Sequence, residues 1–257
     1  MARRRFYAPP ENITDSLVSL STEETHHLIR VLRTTPGDEA FVFDGCGREY
    51  GCRFRTVQDG RALLDVLNEL DDVVESPIQV ELAQGLAKGE KFDFIVQKAT
   101  ELGVTSIAPL VTRYSDVKLD DLQTSRRVER WRRISLEAMK QCGRRKLVEI
   151  AAPRTLNEFL GAYGFTNGGD STTPRTTFLL FSERGGVTVP AALAMTNGLR
   201  KLVALIGPEG GWSNEELEFA SQSGCRPVTL GPRLLRTETA AVVAIALIEH
   251  ALGDLSV

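Results

Sequence analysis

The sequence predicts an α/β fold, a mostly parallel sheet with helices on both faces, preceded by a small β-rich unit. Three observations carry this reading. Beyond Pro77, short apolar runs alternate with runs of helical periodicity, the pattern of repeated βαβ units. The run Lys201 to Ile206, KLVALI, is apolar throughout and is cut off by Gly207 and Pro208, as expected of a strand buried on both faces. The first 70 or so residues instead hold β-prone segments separated by Gly and Asp turns, which predicts hairpins closing into a small barrel.

Taken in order, Thr22 to Arg33 reads as a helix with Leu28, Val31 and Leu32 on one side and His27, Arg30 and Arg33 around the other. EAFVFDG, REYGCRFRTV and RALLDVL come next as strands, and NELDDVVESP, ending at Pro77, reads as a linker. The expected domains are therefore 1–72 and 73–257. IQVELAQ is strand-like, and EKFDFIVQKATELG places Phe92, Ile95, Val96, Ala99 and Leu102 at helical spacing with Gly103 to end the helix. VTSIAPLV returns to strand, and TTFLLFS, KLVALIG and RPVTLG repeat the theme. Gly164 to Thr177, rich in Gly, Asn, Ser and Thr, reads as a surface loop. The final helix, Thr239 to Leu252, is apolar nearly all round and must be buried in the core or against another subunit.

Composition narrows the function classes. Hydrophobic residues make up 42% of the 257 and charged residues 25%, an ordinary globular balance. No apolar stretch reaches membrane-spanning length, and MARRRFYAPP lacks the apolar core of a signal peptide, so a cytoplasmic location is expected. Four cysteines without C-x-x-C spacing and three histidines without H-E-x-x-H give no support for a metal site. With 31 basic against 34 acidic residues the net charge is −3, so any polyanion must meet a local patch. Arg126 to Lys146 supplies one: basic residues outnumber acidic ones, and Val128, Trp131, Ile134 and Ala138 form a packing stripe that leaves the cations to project outward. A phosphate backbone suits such a helix, as does plain solvent or an acidic surface.

Two junctions share one plan of strand, Gly-Pro, irregular loop and capped helix. In LIGPEGGWSNEELEFA, Ser213 and Glu216 are spaced for a capping box, with Trp212 and Leu217 placed for a hydrophobic staple. Helix N-termini beside glycines often hold phosphate. Here Glu209, Glu215, Glu216 and Glu218 oppose an anion, and no phosphate-binding glycine motif occurs, so a neutral or cationic ligand fits better, unless the glycines only make a tight turn. The second junction is LGPRLLRTETAA, Leu230 to Ala241. Two adjacent strand ends would build one pocket, with Leu234 and Leu235 as apolar walls. Arg236 and Glu238 are its nearest charges, either functional or a structural ion pair.

IGPEGGWSNEE and LGPRLLRTETA, together with KGEKFDFIVQKATELGV and EAMKQCGR, closely resemble the SPOUT-class methyltransferases that methylate N3 of a uridine in 16S ribosomal RNA of the small subunit. The resemblance covers nearly the whole chain, including HLIRVLR and FDG. It implies an N-terminal PUA-like barrel that helps bind RNA, a C-terminal domain with a deep trefoil knot, S-adenosylmethionine bound in the knot without metal, and a homodimer. On this sequence the expected cofactor-binding residues are Phe181, Ser182, Leu205, Ile206, Gly207, Pro208, Glu209, Gly210, Gly211, Leu230, Gly231, Leu234, Leu235, Arg236, Thr239 and Ala240. Arg236 is expected to stabilise the uridine anion and Glu238 or Glu209 to assist proton removal. Arg3, Arg5, Arg30, Arg33, Lys91, Lys98 and Arg144 are the expected RNA contacts. The rival reading is a non-catalytic RNA-binding factor of ribosome assembly, which needs no cofactor pocket.

Overall fold

The computed structural model describes residues 3–71, 75–115, 121–163, 176–194 and 199–255. The chain divides into two compact units: residues 1–75 with 136–147, and residues 76–135 with 148–257. The return of 136–147 to the first unit is absent from the expected boundary.

The first unit is a five-stranded sheet in the order β1-β3-β4-β5-β2. Its strands are β1 Arg5–Tyr7, β2 Leu17–Ser19, β3 Glu39–Phe43, β4 Glu49–Gln58 and β5 Arg61–Glu69. The three predicted segments are thus strands, and β5 takes in Asn68 and Glu69 from the expected linker, of which 72–74 lie outside the described residues. Alternate residues Phe6, Val18, Ala40, Val42, Phe54 and Leu64 fill one apolar core with Leu28. The expected helix Thr22 to Arg33 is two pieces, α1 Thr22–His26 and a π-helical turn His27–Val31 in which Leu32 N–H bonds His27 O at 3.0 Å. The wider turn shifts the angular phase of the side chains along it, so Val31, expected on the packing side, is 61% exposed.

Buried charge fixes segment 136–147 within this unit. The Arg5 guanidinium donates to Glu49 Oε1 at 2.6 Å, Met139 O at 2.6 Å, Gly143 O at 2.9 Å and Arg144 O at 3.0 Å. Arg145 holds the other Glu49 oxygen at 3.0 Å, and Arg144 holds Glu75 at 2.8 Å.

The second unit carries an eight-stranded sheet in the order β11-β13-β10-β12-β6-β7-β8, with β9 also paired to β7, and every pairing is parallel. In chain order it comprises β6 Gln79–Gly85, α2 Lys91–Glu101, β7 Ser106–Val111, α3 Asp121–Cys142 as far as Ser135 (its last seven residues belong to the first unit), β8 Glu149–Ile150, β9 Arg154–Thr155, α4 Leu156–Gly161, β10 Thr176–Phe181 and β11 Val187–Thr188. It continues with α5 Val189–Ala194, β12 Lys201–Ile206, α6 Asn214–Gln222, β13 Arg226–Thr229 and α7 Thr237–Leu252. The expected loop 164–177 lies mostly outside the described residues, and its last two residues begin β10.

The central strands are buried on both faces, as their unbroken apolar runs require. In β12, Leu202, Ala204 and Ile206 join one core with α2, α5 and α7, while Val203 and Leu205 join the other with Phe159, Trp212 and Ala220. The last helix buries Ala241, Ala244, Ile245 and Ile248 in the first of these cores and leaves Leu247 39% exposed on its opposite face.

Candidate functional site

Because the sheet is parallel, β6, β10, β12 and β13 all end on one edge, where loops rather than strands meet. The two glycine junctions do not leave adjacent strands as expected. Strand β10 lies between β12 and β13, and the loop after it supplies a third wall. One cavity of about 730 Å³ opens there, lined by Phe181, Ser182 and Glu183 after β10, Ile206 to Trp212 after β12, and Thr229 to Gly231, Arg233 to Thr237 and Ala240 around the third loop. Lys91, at the start of α2, completes it. Gly210 and Leu235 share this cavity, so the two junctions do build one pocket.

Local sequence explains how the loops are held. Ser213 Oγ accepts from Glu216 N–H at 3.2 Å while Glu216 accepts from Ser213 N–H at 2.8 Å, the predicted capping box at the start of α6. Trp212, 1% exposed, ties its loop to β10 by donating from Nε1 to Phe181 O at 3.0 Å. Thr237 Oγ1 donates to Gly207 O at 2.6 Å and accepts from the buried Gln84 Nε2 at 3.0 Å. The chain leaving β13 therefore returns past the β12 loop to β6 at the first residue of α7. Glycine is required where backbones meet: a Cβ on Gly85 would lie 2.5 Å from Pro208 N, and one on Gly210 2.6 Å from Tyr114 Cβ.

Charge at the cavity is already partly committed. Glu209 Oε1 accepts from Lys91 Nζ at 2.8 Å and from Lys88 N–H at 3.2 Å. Partial burial pushes its carboxyl up, but the Lys91 hydrogen bond and nearby backbone N–H groups outweigh this and hold it below the usual value. Glu183 keeps only a loose 3.8 Å approach to Arg184, and its carboxylate sits about where a Cβ on Gly211 would touch it, at 3.1 Å. Arg236 is exposed, and among the described residues no ion pair joins it to Glu238. The Cys52 and Cys225 thiols are pushed up to about 12 by burial, which leaves them protonated and inert. Cys46 is exposed and Cys142 half-buried. Among the described residues, no cluster of three or more His, Cys, Asp or Glu could hold a metal, and no helix is long and apolar enough to cross a membrane.

Several expected site residues are not among those lining the cavity. Leu205 is fully buried inside the sheet, and Glu238 and Thr239 lie on the first turn of α7. Arg5 and Arg144 are 6% and 4% exposed and spend their guanidinium groups on Glu49, Glu75 and backbone carbonyls, so neither is open to RNA. The basic stretch likewise turns Lys140 of α3 inward onto Glu24, and Arg145, beyond the end of α3, onto Glu49. Lys98 is paired with Glu101, whereas Arg3, Arg30 and Arg33 are exposed. Trp212 and Thr229 line the cavity from just outside the loops expected to form it, and Glu183, Arg233 and Thr237 line it from within those loops though not named among the cofactor contacts. The Ser-Glu step of FSERGG and the Arg of GPRLLR were the signals for two of them.

Known proteins share this architecture. A family model described as an RNA methyltransferase domain matches residues 74–249, and one described as an RNA methyltransferase PUA domain matches residues 20–67. Ribosomal RNA small subunit methyltransferase E of Synechocystis sp. is 36% identical over 94% of this chain and 76% of its own length. The protein of the same name from Bacillus subtilis is 32% identical over 90% of this chain and 89% of its own. Among solved structures, ribosomal RNA small subunit methyltransferase E from Neisseria gonorrhoeae bound to S-adenosylmethionine aligns with a TM-score of 0.86 at 32% identity, covering 98% of this chain and 99% of that one. A methyltransferase from Legionella pneumophila, also in complex with that cofactor, gives 0.87 at 32% identity over 99% and 100% of the two chains.

Proposed function

Since the chain belongs to the RNA methyltransferase family, we propose that it transfers a methyl group from S-adenosylmethionine to N3 of a uridine in small-subunit ribosomal RNA. The observation that carries this reading is the cavity that the two glycine junctions share with the loop after β10. Its volume of about 730 Å³ suits a nucleoside-sized ligand, and its donor set suits a cation rather than a phosphate. The glycines let backbone approach the ligand, and Glu183 offers the one lining carboxylate not strapped to a lysine.

When bound, S-adenosylmethionine supplies an electrophilic methyl group on a sulfonium that departs as a neutral thioether. The residues supply geometry and charge. The loops after β10 and β12 would hold the donor and fix its position relative to the base, which lowers the entropic part of the barrier. Arg236, open to the cavity, stabilises negative charge at a uracil carbonyl oxygen as the weakly acidic N3 proton passes to solvent water. Glu209 is already engaged by Lys91 and serves as a strap rather than a base. The backbone path from β13 past Gly207 to Gln84 supports the trefoil knot as part of this reading. The partly exposed face of α7 supports a homodimer. Residues 1–72 act as the RNA-gripping domain through Arg3, Arg30 and Arg33, and residues 73–257 as the catalytic one. The protein works in the cytoplasm, where the small subunit is made.

The deciding experiment incubates purified protein with S-adenosylmethionine and small subunits or their RNA from a strain deleted for the gene, then maps the RNA by mass. One uridine is expected to gain a single methyl. Titration calorimetry is expected to show saturable cofactor binding; a flat titration with intact RNA binding favours the non-catalytic assembly factor.

A further inference from the structure

The most exposed large apolar side chain among the described residues is Leu234, at 82%. A lone exposed leucine carries no meaning by itself. Expected as an apolar wall for the cofactor, Leu234 instead stands on the rim of the cavity with its side chain in solvent, between Arg233 and Arg236 in the loop after β13, and its neighbour Leu235 turns half inward to serve as the wall. Neither arginine has a carboxylate partner among the described residues. The rim therefore presents an apolar tip flanked by two unneutralised cations.

We infer that Leu234 is an RNA wedge: it enters the base stack in place of the target uridine while the flanking Arg233 holds an adjacent phosphate. This deepens the proposed function and rests on it. The cavity floor is made by residues as buried as Ile206 and Trp212, and N3 lies on the pairing edge of uracil, so the base must leave its stack to present that atom. Refilling the vacated gap with an apolar side chain offsets the lost stacking and slows the base's return. The flanking charges select the occupant. A polyphosphate strand complements Arg233 and Arg236, whereas a symmetric contact with a second copy of this loop would bring four cations together.

The test uses the full chain and, once the uridine has been mapped, an RNA carrying 2-aminopurine beside it. Leu234→Ala and Leu234→Met are compared with the unaltered protein for cofactor affinity by calorimetry, single-turnover methylation, 2-aminopurine emission and sedimentation. The unaltered protein's own cofactor binding and methylation report on the enzyme assignment; the variant ratios report on the wedge. Leu234→Ala is expected to bind S-adenosylmethionine within about twofold of the unaltered protein, to methylate RNA about tenfold or more slowly, and to lose the rise in emission. Leu234→Met, of similar reach, is expected to restore both. The inference is overturned if Leu234→Ala weakens cofactor binding in step with the rate, if it shifts the sedimenting mass, or if rate and emission stay unchanged.

Discussion

Glu209 and Lys91 hold each other at 2.8 Å across the lip of the cavity, and this strap has a definite response to acid. A carboxyl whose folded value lies below its ordinary 4.5 stabilises the protein above that ordinary value and loses the contribution as pH falls through the folded one. Thermal melts should therefore show Glu209→Gln less stable than the unaltered protein at neutral pH, with the two curves converging below pH 4.5. A difference that grows on acidification refutes the strap. Arg236→Ala should fold normally, bind cofactor and lose about a hundredfold in single-turnover rate, the scale expected for one donor aimed at developing charge. A full rate in that variant removes Arg236 from the chemistry. Individual side chains were the least legible level in the sequence. Arg5 and Arg144 share their residue type and basic neighbourhood with Arg3 and Arg33. What separates them is Glu49 and Glu75, which are tens of residues away in sequence.

Elements were more legible, because their signals are local. The capping box of Ser213 and Glu216 and the two-faced burial of β12 both follow from spacing alone. Ser213→Ala should cost about 1 kcal/mol in chemical denaturation, and wild-type stability in that variant would show that the cap contributes nothing. The misread elements have equally specific causes. The π-helical turn at His27 shares its composition with an α-helix, and β10 reaches its place between β12 and β13 through pairing that neither strand encodes by itself. Gly85 was invisible as a site residue for the same reason, since only the fold brings Pro208 against it. Gly85→Ala should lower stability by about 1–3 kcal/mol and weaken cofactor binding by displacing the Gly207 loop. An unperturbed titration curve would show that the close approach is dispensable.

At the scale of the whole molecule, class and order of units could be read from periodicity, whereas the return of 136–147 to the first unit could not. It depends on Arg5, 6% exposed and bonded to carbonyls more than 130 residues away in sequence. Arg5→Met should strand those carbonyls and leave Glu49 with Arg145 alone, destabilising the first unit by about 3 kcal/mol, visible as an early denaturation step distinct from that of the cavity-bearing unit. A single unshifted transition argues against that role. The bond from Thr237 to Gly207 has a different kind of consequence, which concerns time. Ribosomes issue a polypeptide from its amino end, and here the final wall of the receptor comes from residues 229–240, anchored by the helix that runs to Leu252. A nascent chain halted before Thr237 has every earlier strand and no receptor. A product cut short by a premature stop codon is inert for the same reason.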